Sequence, residues 1–110
     1  MQVNIETTFG ITTARLIGDI DAKSAPDAQG HIIPLAGDDC KIILDMSEVG
    51  YMSSAGLRML LAVRRSIPAS GRIVLTGLSE ALSETMSVTG FLDFFVICET
   101  YDESVDALNS

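Results

Sequence analysis

The sequence is poor in the residues from which metal and catalytic centres are built. It has one histidine, His31, and two cysteines, Cys40 and Cys98, among 110 residues. The cysteines lie beside separate apolar runs rather than in a C-x-x-C pair, and a single histidine adds no ligand spacing, so no metal centre is expected. Both thiols read as free and buried, as in a reducing compartment. Neither G-x-x-x-x-G-K nor G-x-G-x-x-G occurs, so no phosphate-cradling loop and no nucleotide cofactor is expected. A G-x-S-x-G frame is also missing, and no base is placed to activate a serine, which argues against a hydrolase and against an enzyme.

Basic side chains are scarce as well. Seven Lys and Arg stand against fifteen Asp and Glu, a formal net charge of −8. Phosphate backbones are held by clustered cations, so no direct nucleic-acid partner is expected. A basic or neutral protein partner fits this charge, and so does solubility alone. No apolar run approaches the length of a membrane span, and Met1 to Thr8 lack the basic start and apolar stretch of a signal peptide. The expectation is a cytoplasmic chain with no membrane partner.

What is present is an ordinary globular composition, 47% hydrophobic and 20% charged. A chain of this length fits one domain, residues 1–110, and buries a core without disulfides. Val3 to Thr8 alternates weakly and Ile11 to Ile20 is β-rich, with Gly10 between them, which predicts an antiparallel hairpin. Asp21 to Ala36 has Ser24 as a candidate cap, Pro26 in a first turn, and Ala28, Ile32 and Leu35 at helical spacing; Gly30 and Pro34 predict a short or broken helix.

Lys41 to Asp45 carries the unbroken run Ile42, Ile43, Leu44, expected of a strand covered on both faces. After a connector from Met46 to Tyr51, a helix is predicted from Ser54 to Ile67, stopped by Pro68 and Gly71. Arg72 to Thr76 reads as the next buried strand, and Ser79 caps a helix ending at Gly90. Phe91 to Phe95 is expected to tuck under the core. Val96 to Glu99 forms a short strand, and Asp102 caps a last helix bearing Val105 and Leu108. Alternating strand and helix behind a hairpin predict an α/β fold: a mixed, mainly parallel sheet with right-handed crossovers and about four helices packed on it.

The informative stretch is Asp45 to Leu61, where a buried strand leads through a short loop to two adjacent serines at a helix start. One serine there serves as a cap for free backbone N–H groups. A pair leaves a second hydroxyl free for modification. A phosphoryl group at this point would sit against the positive end of the helix dipole, so its charge would alter the surface without disturbing the core. Projected at 100° per residue, Gly56, Leu60, Val63 and Ile67 form the inward stripe, with Met59 on its flank. Ser54, Arg58, Leu61 and Arg65 fall on the outward one, either a partner-binding stripe or a solvated face. Glycine in a first turn, at Gly56, points to close approach of a neighbouring backbone.

These residues resemble the STAS family, the sulfate transporter and anti-sigma factor antagonist domain. Leu16, Ile17, Gly18, Asp19, Ile20 and Asp21 are similar to its strand-ending G-x-hydrophobic-Asp signature. Ile43, Leu44, Asp45, Met46 and Ser47, then Val49, Tyr51, Met52, Ser53, Ser54, Ala55, Gly56 and Leu57, are similar to its strand, loop and helix-start motif. The resemblance implies a STAS-like single domain and a phosphorylation site at Ser54, which precedes a small residue and a Gly-Leu pair. Ser53 stands where many kinase-responsive members carry aspartate, which makes it a second candidate acceptor. The implied binding surface comprises Asp21, Ser53, Ser54, Arg58, Leu61 and Arg65, with Asp45 at a further acidic position of the family. The implied partners are an anti-sigma factor with serine kinase activity, which releases a sigma factor when bound, and a serine phosphatase that reverses the modification. The alternative within the family is a constitutive adaptor, such as a small subunit of a lipid-transport ATPase or a signalling scaffold, in which Ser54 is only a helix cap.

Overall fold

The computed structural model describes residues 1–110. Strands β1 (Gln2–Thr8), β2 (Ile11–Ile17), β3 (Lys41–Glu48), β4 (Arg72–Thr76) and β5 (Val96–Cys98) form one sheet in the order β1-β2-β3-β4-β5. The β1–β2 pair is antiparallel and the other three are parallel. Helices α1 (Ala25–Ile32), α2 (Ser54–Ser66), α3 (Glu80–Val88) and α4 (Tyr101–Leu108) complete the expected α/β architecture. None is long and apolar enough to cross a membrane.

The sheet has two unequal faces. Because side chains alternate along a strand, Ala14 and Leu16 of β2, Ile42, Leu44 and Met46 of β3, and Ile73 and Leu75 of β4 point to one side. There they join Ala28 and Ile32 of α1 and Leu57, Leu60 and Val63 of α2 in the main core. The opposite face carries a small cluster, Ile11, Ile43 and Val74, covered by Leu108 of α4. Each fully buried large aliphatic contributes about 1.5–3 kcal/mol by leaving water, so most of the burial energy lies on the α1/α2 side. Arg15 and Asp45 share the thinner face and bond across the β2–β3 register, Arg15 Nε donating to Asp45 Oδ2 at 3.2 Å.

Several boundaries follow from local chemistry. α1 ends at Ile32 and passes into a single 3-10 turn, Ile33–Leu35, at Pro34, the expected break. Its amino end differs from expectation. Asp21 Oδ1 accepts the N–H groups of Lys23 and Ser24, while Ser24 Oγ accepts the Asp21 N–H at 2.9 Å. Asp21 is therefore the cap and Ser24 its reciprocal partner one turn in. Ser79 caps α3 as expected, its Oγ accepting from Leu82 N at 3.1 Å, and Gly90 follows at φ 79°. At α4 the cap is Thr100, whose Oγ1 accepts from Glu103 N at 3.1 Å; Asp102 lies inside the first turn, where its charge favours the helix dipole. β3 continues through Met46 to Glu48, three residues past the expected end, because β2 runs beside it as far as the Ile17–Glu48 pair. In the 91–95 turn, Phe91, Leu92 and Phe95 pack on the main core, whereas Phe94 stays exposed.

Candidate functional site

The site is assembled by the backbone. Beyond β2 and β3 the chain is zipped together: Gly18 N donates to Glu48 O at 3.1 Å, Ile20 N to Tyr51 O at 2.9 Å, and Ser53 N to Ile20 O at 2.8 Å. Ile20 and Met52 form a parallel bridge. α2 thus starts from a fixed point rather than from a mobile loop. A side chain at Gly56 would put its Cβ 2.9 Å from Ile20 Cγ2 and 3.1 Å from the Ile20 carbonyl, with Met52 closer still. The first turn of α2 rests directly on this bridge, which is why glycine stands there.

The two serines occupy different environments. Ser53 has the extended backbone of a cap residue (φ −81°, ψ 176°), yet its hydroxyl caps nothing, and Oγ is buried without a hydrogen-bond partner. Ser54, the first residue of the helix, is exposed. α2 is accordingly left without a side-chain cap, whereas Asp21, Ser79 and Thr100 close the other three helices. The N–H groups of its first turn, beside Ser54, thus have no side-chain partner.

The remaining predicted residues divide by position. Asp21 follows Ile20 and therefore lies next to Ser53. The backbone N–H groups of Ser24 and then Lys23 hold its carboxyl below the usual aspartate value. Arg58 is exposed one turn along α2; Leu61 is half-buried rather than exposed. Arg65 is exposed but lies eleven residues from Ser54, about 16 Å along the helix axis. Asp45 projects from the opposite face of the sheet. Burial opposes its charge, but the Ser47 hydroxyl, the Ser47 N–H and Arg15 outweigh that and hold its carboxyl below the ordinary value. His31 sits on the surface of α1 with Nδ1 2.8 Å from the Asp27 carbonyl.

Two features were not expected from the sequence. Between α1 and α2 runs a shallow groove of about 340 Å³, lined by Ala22, Ala25, Pro26 and Gln29 on one side and Ala55 and Arg58 on the other. Its signal was the cluster of small residues in 22–28, which also suits ordinary helix packing. The second feature is a gathering of acids at one end of the domain. Asp19, Asp21, Glu48, Glu80, Glu99, Asp102 and Glu103 all lie at or just past the carboxyl ends of the parallel strands, around Ser54, with Lys23 and Arg58 the cations near them. Lys41, Arg64, Arg65 and Arg72 lie toward the opposite end, where Asp38, Asp39 and Asp93 largely offset them, so the excess of acid is at the Ser54 end.

Comparison with known proteins places this arrangement. The anti-sigma-B factor antagonist of Bacillus subtilis (strain 168) is 26% identical over 98 residues, spanning 88% of this chain and 90% of that protein. The crystal structure of an anti-sigma factor antagonist from Mycobacterium paratuberculosis shares the fold at a TM-score of 0.91 and 22% identity, covering 99% of this chain and 94% of the other. The Bacillus cell fate determinant SpoIIAA in its phosphorylated form matches with a TM-score of 0.70 and 21% identity, over 97% and 99% of the two chains. The family model described as the STAS domain matches residues 2–107, nearly the whole length, and the chain belongs to the STAS domain family.

Proposed function

We propose that this protein is an anti-sigma factor antagonist, a binding switch set by phosphorylation of Ser54. The observation that carries the proposal is the open amino end of α2. An exposed hydroxyl stands at the first helical residue beside N–H groups that no side chain occupies, over a first turn seated on the Ile20–Met52 bridge. A phosphoryl group there adds about −1.5 to −2 charges at neutral pH and meets the positive helix end, so the fold tolerates it. The surface that a partner meets is changed all the same. That one structural relative has been determined in a phosphorylated form supports the same reading.

The partner in this proposal is an anti-sigma factor with serine kinase activity, and a serine phosphatase restores the unmodified state. The partner docks over Asp21, Ser54 and Arg58 with Ser53 beneath, along the groove between α1 and α2; Leu61 and Arg65 extend the contact down the helix. Its complementary surface is basic, to match the acids around Ser54. Ser53 is the second acceptor, disfavoured by its buried Oγ.

The test is binding of three forms to the anti-sigma partner. Ser54→Ala binds and resists ATP, Ser54→Asp loses binding at least tenfold while keeping its melting temperature, and intact mass after kinase treatment locates the phosphate on Ser54. Equal binding by both variants identifies a constitutive adaptor instead, and a phosphate on Ser53 moves the switch by one residue.

A further inference from the structure

Two features at the end of the sheet remote from Ser54 have no part in that switch. The first is the hairpin tip. Phe9 and Gly10 form a two-residue turn with φ 52° and 79°, and Phe9 is 100% exposed. Such turns are made for Asn-Gly or Gly-Gly. A bulky aromatic is strained at positive φ and gains nothing from burial here. Neither the turn nor the core accounts for a phenylalanine.

The second feature is a cleft of about 410 Å³ between the carboxyl end of α2, the 91–95 turn and α4, walled by Ile67, Pro68, Phe95, Val96 and Leu108. Knob and cleft open at the same end of the domain, since Thr12 of β2 is level with Ile42 of β3, and Ile42 with Ile73 of β4. They lie at opposite margins of the sheet, so one chain cannot fill its own cleft. A two-fold axis would bring the knob of each copy to the cleft of the other.

We propose that the protein forms a symmetric dimer in which Phe9 of each copy enters the cleft of the other. Charge agrees with this pairing. Glu6 is the only charged side chain between Met1 and Ala14, and in such a dimer it approaches the cleft of the other copy, whose lining carries Arg64 and Arg72 against the single acid Asp93. Two aromatic knobs of about 150–250 Å² each, with the walls that receive them, give an interface at the small end of the specific range. The dimer therefore dissociates in the micromolar range or above. Ser54, at the far end, stays accessible in both copies.

Sedimentation velocity from about 10 µM to about 1 mM tests the proposal, over the range where such an interface titrates. Wild type shifts from monomer to dimer. Phe9→Asn, whose side chain suits the turn, and Ala69→Glu, at the cleft wall, each weaken the dimer at least tenfold while leaving the circular dichroism spectrum unchanged. Benzoylphenylalanine in place of Phe9 cross-links on irradiation to cleft residues of a second copy. A chain monomeric throughout overturns the proposal and assigns Phe9 to a different protein. Dimerisation that survives Phe9→Asn, or cross-links that map outside the cleft, overturns it equally.

Discussion

Ser53 and Ser79 open helices with nearly the same extended backbone, φ −81° and −65°, and only one of them acts as a cap. Ser79 Oγ accepts the Leu82 N–H; Ser53 Oγ is buried and bonded to nothing. A buried hydroxyl without a partner costs free energy, and so does an uncapped helix end. α3 carries neither cost and α2 carries both, immediately beside Ser54. Stability is thus forgone at the one helix start where an added anion would find unoccupied donors.

That contrast is exposed to experiment in order of size. The start of α2 depends on backbone seating rather than on a cap, so Gly56→Val, which drives a branched side chain into Ile20 and Met52, should lower stability by about 3 kcal/mol in urea denaturation. Gly30, with nothing around it, provides the control: Gly30→Ala should leave stability unchanged or raise it by up to about 1 kcal/mol.

Ser79→Ala should cost about 1 kcal/mol, the ordinary worth of a serine cap. Next comes the acid limb. Asp45 and Asp21 have carboxyls held below their ordinary values, so their contribution is complete above the unfolded value near pH 4 and is lost as pH falls through the lower folded value. Asp45→Asn should flatten that part of the stability–pH curve and cost less than about 1 kcal/mol at neutral pH, because the Arg15 pair is solvent-screened.

The smallest effect is the most telling. Ser53→Ala should stay within about 0.5 kcal/mol of wild type or stabilise it, since no bond is lost. A cost equal to that of Ser79→Ala would erase the difference between the two helix starts.

Much of this was legible beforehand for reasons that are local. The run Ile42–Leu44 marked a strand covered on both sides, Pro34 marked the break after α1, and Gly90 marked the end of α3. The site was legible as far as the serine pair and the glycine at position 56; the neighbour that requires that glycine, Ile20, comes from a distant segment and was not. Cap identity was not, since Asp21 and Ser24, or Thr100 and Asp102, are equally suitable by type and only the path of the chain selects between them. Side-chain direction across the sheet escaped as well. Asp45 lies on the far face because side chains alternate along β3, which puts it with Ile43 and opposite Leu44. Leu61 is half-buried because the helix periodicity does not reveal how wide a face the sheet covers.

The gathering of acids at the carboxyl ends of the strands has a consequence for speed. A domain whose net negative charge is concentrated at one end has a preferred orientation in the field of a charged partner, so encounters with a basic surface are biased to begin at the Ser54 end. Association should then slow as ionic strength rises, while dissociation, which depends on short-range fit, should change little. Modification of Ser54 would act twice on such an encounter, disturbing the fit of the docked pair and changing the field that brings the pair together.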